Sequence, residues 1–196
     1  MRVELKSIED IQLGLGFPQP TPADIPKVSY KCCSLRFALR NTTPYVQNVL
    51  RAMPIQNRHK RVLVDIKVHH LKPGDVPAIP GWHIDGTRHI LDERKDNLYH
   101  LFVSGISCLP QFLKERAWID VHPEQLPNYD SLLADSQGQA ITSCVIHSYD
   151  RYPHRAVPTT ESSTRLLIRA VETDRREPHN RAFNVGYYTV DEKQTR

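Results

Sequence analysis

Gly81-Trp-His-Ile-Asp-Gly86 sets a histidine and an aspartate two positions apart. In an extended segment such residues project to the same side, so His83 and Asp85 can grip one metal ion. Tyr152-Pro-His-Arg155 offers a third ligand. His154 follows a predicted strand that ends near His147, and a neighbouring strand can carry it across to the first two; His147 is its competitor. Two histidines and one carboxylate fill one face of an octahedral ion and leave three positions open, the donor set of non-haem Fe(II) sites that handle oxygen. A bidentate 2-oxo acid takes two of those positions and dioxygen the third. The far carboxylate of such an acid needs a fixed cation, which a guanidinium meets with two parallel hydrogen bonds. Arg165, eleven residues after His154, is the expected cation. Arg169 lies on the same strand face by period two and is the alternative.

These groups need strands to position them. From residue 61 apolar residues alternate, with Val62, Val64, Ile66 and Val68 interleaved by Leu63, Asp65, Lys67 and His69. That period predicts a half-buried strand with a polar second face. Further strands are predicted at 97 to 104, 106 to 113, 139 to 147 and 164 to 171, each short and bounded by turn-formers. Thr43-Pro44 is an N-cap and first-turn pair, and Val46, Val49, Leu50 and Met53 follow at helical spacing, so 44 to 53 reads as a helix. A first helix is expected after the capping-box-like Ser7, stopping at Gly14 and Gly16. The proline-rich stretch 18 to 26 reads as a surface linker, and 123 to 135 as a short helix or loop excursion. Residues 175 to 196 form a charged tail that is either disordered or covers a sheet edge. Short strands without long helices between them predict a mainly β fold with a few flanking helices.

With 196 residues, 39% hydrophobic and 24% charged, the chain is long and apolar enough to bury a core. One domain over 1–196 is expected, with a core at about 60–172, a supporting segment 1–59 and a tail 173–196. No apolar run has the length to span a bilayer, and the first residues lack a secretory design. A soluble, cytoplasmic protein is expected, with no membrane partner. Cys32, Cys33, Cys108 and Cys144 show no C-x-x-C spacing and read as buried reduced thiols. The net charge of +4 permits a nucleic-acid partner without requiring one.

The chain resembles the Fe(II)/2-oxoglutarate-dependent oxygenases over roughly 60 to 172. His83-Ile-Asp85, His154 and Arg165 follow their H-x-D…H…R signature. Leu71-Lys-Pro-Gly74 is similar to the turn before the iron ligands, and Gly138-Gln-Ala-Ile to the glycine-led strand that runs toward the second histidine. Leu109-Pro-Gln-Phe-Leu113 stands where many members carry Pro-Thr-x-Phe-Leu. The resemblance implies a double-stranded β-helix, that is, a jelly-roll or cupin-like barrel. It implies a dioxygenase using Fe(II), 2-oxoglutarate and O2, with ascorbate as the reductant in vitro, that hydroxylates a C–H bond and releases succinate and CO2. It also implies a co-substrate contact for Tyr99.

The remaining candidates have bland readings beside the chemical one. Trp82 reads as core packing before substrate stacking. Arg88 and Arg155 flank the expected pocket, as surface charge or as hosts for an anionic substrate group. The run Asn57-Arg-His-Lys-Arg61 reads as a solvated turn, and His69, His70, His89, His100, His122 and His179 as partly exposed polar residues. Substrates in view are a nucleobase such as a 5-methylpyrimidine, a small metabolite or amino acid, and a protein residue. The competing class is a cupin-like metal- or ligand-binding module without 2-oxoglutarate chemistry.

Overall fold

The computed structural model describes residues 1–56, 60–86, 89–91, 97–174 and 177–187. In chain order its elements are β1 (Arg2–Leu5), β2 (Gln12–Gly16), β3 (Ser29–Ser34), α1 (Leu35–Asn41), α2 (Pro44–Ala52), β4 (Arg61–Leu71), β5 (Leu98–Ser104) and β6 (Gln111–Leu113). They continue with β7 (Ala117–Asp120), α3 (Tyr129–Leu132), β8 (Gly138–Ala140), β9 (Val145–Tyr149), β10 (His154–Arg155), β11 (Ser163–Thr173) and β12 (Ala182–Phe183). The protein is mainly β.

A seven-stranded sheet has the order β12-β3-β4-β11-β5-β9-β2, a three-stranded sheet the order β10-β6-β8, and β1 pairs with β7. All strand pairs are antiparallel. Among the described residues these sheets do not close into a barrel. The centre of the large sheet is β4 paired with β11 along eleven positions, from Ser163 opposite Leu71 to Thr173 opposite Arg61.

Side-chain alternation divides the large sheet into two faces. Val64, Ile66, Phe102, Ile146, Leu166 and Ile168 point to the helices, where they meet Ala38 of α1 and Val46, Val49 and Leu50 of α2. Thr43 caps α2 by accepting the Val46 N–H, with Pro44 at the first turn. Each of those fully buried α2 side chains contributes roughly 1.5–3 kcal/mol to docking. On the other face Tyr99, Leu101, Val103 and Tyr149 meet Phe112 of β6 and Ile141. The candidate residues share this second face, between the sheets.

Several expectations are corrected. The Ser7 cap forms, with Asp10 Oδ2 accepting the Ser7 N–H at 2.9 Å, but it opens only a 3-10 turn over Ile8–Asp10. The chain then extends as β2, where Gly14 lies so close that an added Cβ would stand 3.2 Å from Ile146 Cβ. The strand expected at 139 to 147 is two strands in different sheets. Cys144 turns the corner between them with φ +60° and donates its N–H to the Val103 carbonyl. The strand expected at 106 to 113 shrinks to β6, because Gly105 turns at φ +117° and Pro110 has no N–H to give a ladder. The polar face of β4 is not solvent-facing: Asp65 and His69 are buried. His69 and His100 are therefore fully enclosed, with His100 bonded to Ser148 Oγ at 2.8 Å and Glu172 Oε1 at 3.0 Å. The four cysteines are free, and only Cys32 is half-buried. Of the tail, β12 pairs with β3 and covers that sheet edge. No helix among the described residues is long and apolar enough to cross a membrane.

Candidate metal centre

His83 and His154 face each other across an antiparallel bridge at the margin of the small sheet. They exchange both backbone hydrogen bonds, His83 N to His154 O at 3.0 Å and His154 N to His83 O at 2.9 Å. Opposed residues hold their side chains on one side, and the imidazole centroids stand 4.4 Å apart. Asp85 joins them two residues on. One donor atom from each of His83, Asp85 and His154 lies within 4.8 Å of the others, so a single ion can bridge the three.

Local chemistry aims these side chains. Gly81 takes φ +85°, and the Asp130 carboxylate of α3 fills the space a Cβ would need, with Oδ1 at 2.6 Å from it. The same oxygen accepts the Trp82 N–H at 2.7 Å, which pins the start of the ligand segment. Gly86, at φ +68°, closes it; a Cβ there would meet Asn97 Nδ2 at 2.7 Å and the Tyr99 hydroxyl closer still. His83 Nδ1 donates to the Gly81 carbonyl and His154 Nδ1 to the Tyr152 carbonyl, both at 3.0 Å. A carbonyl can only accept, so Nδ1 carries a proton in each ring and Nε2 is the atom turned toward the other donors, with His154 Nε2 3.4 Å from Asp85 Oδ2.

Asp85 is held from behind. Arg169 Nη1 donates to its Oδ2 at 2.5 Å, while Arg169 Nε and Nη2 donate to Asp65 Oδ2 at 3.2 and 2.7 Å. Asp65 Oδ1 accepts the Cys32 N–H at 2.7 Å. That bond is available because Cys32 adopts φ +52° at the irregularity in the β3–β4 register, the geometry of a β-bulge. Burial opposes ionisation of Asp85, yet Arg169 and then His154 hold its carboxyl well below the usual range. Burial and the neighbouring His154 push His83 down to about 4, so it is neutral and able to ligate at physiological pH.

Arg165 differs from Arg169. It is 3% exposed, and among the described residues neither its Nε nor its Nη1 has a hydrogen-bond partner. Burial lowers its guanidinium to about 10, still far above neutrality. It sits opposite His69 of β4, four residues before Arg169 on the same strand face. Of the two arginines considered for a distal carboxylate, Arg169 is occupied by Asp65 and Asp85, and Arg165 presents unfilled donors.

The other expected residues fall in distinct places. Tyr99 stacks on Tyr149 with centroids 5.4 Å apart and lies under the Arg169 guanidinium. It pairs with Val171, six residues from Arg165, roughly 20 Å along the strand, so it borders Asp85 rather than the free guanidinium. Trp82 is buried in an apolar cluster, with Arg155 4.6 Å above its ring. Arg155 also donates to Gln111 Oε1, so both are engaged in structure. His147 donates Nδ1–H to Val145 and is not in the triad. Arg88 lies outside the described residues, as do Arg58 and His59. The alternation of β4 carried a signal for the residues not singled out as site members: Asp65, Lys67 and His69 fall at every second position on the site face. A cavity of about 820 Å³, lined by Val68, His70, Ser104 and Thr164 among others, belongs to the opposite face of the large sheet and does not touch the triad.

No protein-family profile, curated protein or solved structure matches this chain.

Proposed function

We propose that the protein is an Fe(II)- and 2-oxoglutarate-dependent dioxygenase that hydroxylates a C–H bond with release of succinate and CO2. The observation that carries this reading is the pairing of a preset His83–Asp85–His154 donor set with a buried, unfilled cation, Arg165, on the same face of the sheet. The donors suit a divalent first-row ion with open positions, and a buried guanidinium without a counter-charge among the described residues calls for an anion. Iron, when bound, would supply the oxygen-activating chemistry.

The chain's own residues have defined parts. The Gly81 and Tyr152 carbonyls keep both imidazoles in the ligating tautomer. Arg169 holds one oxygen of Asp85 and keeps the carboxylate ionised. Arg165 would take the distal carboxylate of 2-oxoglutarate, orienting the 2-oxo acid end toward the triad. The strand path supports the jelly-roll expectation. It runs from β4 in the large sheet to the bridge at His83 beside the small one, on to β5 and β6, then from β8 to β9, β10 and β11, crossing between the sheets repeatedly. Such interleaving is what a double-stranded β-helix requires.

The test is succinate formation by anaerobically purified protein given Fe(II), 2-oxoglutarate, ascorbate and air, set against Asp85→Ala. Iron-dependent succinate that vanishes in the variant is expected. No turnover together with no 2-oxoglutarate binding would move the reading to a metal-binding barrel without that chemistry.

A further inference from the structure

Five buried side-chain polar atoms lack a hydrogen-bond partner among the described residues, and four of them belong to one cross-strand pair: His69 Nδ1 and Nε2, and Arg165 Nε and Nη1. Native interiors rarely leave such groups unmatched, and a cluster of them marks a place where something polar binds. His69 is fully buried. Opposed β residues stand about 5 Å apart at Cβ, so both side chains reach one volume between the sheets. Among the described residues the neighbouring charges acting on His69 are positive: Arg165, Lys67 and His70. Lys67 precedes His69 by two on the same face, Cys108 Sγ is turned to the Val157 carbonyl, and Tyr187 packs edge-on against the His69 ring at 5.7 Å. The Pro77 carbonyl lies near enough to favour the charged ring but does not complete a hydrogen bond.

We propose that His69 is a second anchor for the distal carboxylate of 2-oxoglutarate, donating a ring N–H beside Arg165, and that the pair selects a dicarboxylic 2-oxo acid over one with an apolar tail. This rests on the function proposed above. A neutral imidazole has one N–H to donate, and a carboxylate accepts it together with the guanidinium because its two oxygens offer about four lone-pair sites. An apolar tail would leave the donors unmatched, and sites built to bond a polar group reject analogues lacking it strongly.

The experiment uses zinc-loaded full-length protein and two probes, 2-oxoglutarate and 2-oxobutyrate, titrated calorimetrically. His69→Leu should weaken 2-oxoglutarate by about tenfold or more, a loss of about 1.4 kcal/mol, and leave 2-oxobutyrate, zinc stoichiometry and melting temperature nearly unchanged. His69→Gln, which keeps an N–H donor, should restore most of the loss. In the wild type the His69 imidazole resonances should shift with 2-oxoglutarate and not with 2-oxobutyrate, a readout that holds even where the leucine variant folds poorly. Equal losses for both acids, or resonances indifferent to 2-oxoglutarate, would make His69 a structural residue and overturn the proposal. If 2-oxoglutarate binds the wild type and Arg165→Met abolishes that while both His69 variants bind normally, only this inference fails. If the wild type binds no 2-oxoglutarate at all, the function proposed above fails with it.

Discussion

Replacing Arg165 with methionine should make the ligand-free protein more stable while removing its hold on 2-oxoglutarate. The guanidinium is 3% exposed, with two donor atoms unmatched. Burial lowers it to about 10. At about 1.4 kcal/mol per tenfold change in proton affinity, that depression corresponds to about 3 kcal/mol of strain on the charged form. Methionine has a similar reach and no charge, and exchanging a poorly compensated buried charge for an apolar side chain gains about 1–3 kcal/mol after relaxation. At roughly 2–4 °C per kcal/mol for a chain near this length, the metal-loaded, ligand-free melting temperature rises by about 2–12 °C. Adding 2-oxoglutarate at a hundred times its Kd stabilises the wild type by about 2.7 kcal/mol and the variant not at all, so the ranking narrows or reverses. Thermal unfolding of zinc-loaded proteins with and without the ligand reads both effects. A variant less stable than wild type without ligand would mean Arg165 already has a counter-charge. A variant stabilised equally by 2-oxoglutarate would place the anchor elsewhere.

Arg169→Leu should act oppositely, because it strands the carboxylates of Asp65 and Asp85. A loss of about 3–5 kcal/mol is expected in urea unfolding, with at least tenfold weaker zinc binding in a competition titration. His69 supplies a pH dependence: burial, then Arg165, lower it to about 3, whereas the unfolded ring titrates near 6.5. The unfolded state alone takes up that proton, so the stabilisation is complete above about pH 6.5 and falls by about 1.4 kcal/mol per pH unit toward pH 3. Urea unfolding at pH 7, 6 and 5 should show that slope flattened in His69→Gln, and an unchanged slope would assign it to other groups. Gly81→Ala should cost about 1–3 kcal/mol, since it combines φ +85° with a collision against Asp130. It should also weaken zinc binding by displacing His83, and unaltered affinity would show that the Gly81–Asp130 contact does not aim the ligand.

Two of the three candidate donors were legible because their spacing is local. His83 and Asp85 share a side through the two-residue period alone, and Arg165 and Arg169 share a strand face for the same reason. The α2 helix was equally legible, since Thr43-Pro44 and the spacing of Val46, Val49 and Leu50 act within a few residues. Short-range signals misled where a partner strand outweighed them. The Ser7 cap formed, yet the chain paired as β2 beside β9, and the run from 139 to 147 broke at Cys144, whose N–H belongs to Val103 in another strand.

What the amino-acid sequence determined by itself was the His83–Asp85 pair, two candidates for a third donor, the two candidate guanidinium groups and the alternation that puts polar residues of β4 on one face. Tertiary structure decided which arginine is committed and which is unfilled. Asp65 reaches Arg169 only because β4 and β11 align at that register, and Asp85 reaches it only because the His83–His154 bridge brings the ligand segment over the large sheet. It also enclosed His69 beside Arg165 and left both unmatched. Pairing of this kind depends on contacts 84 and 104 residues apart in the chain, and nothing in a local periodicity specifies which charges will meet across the space between two sheets.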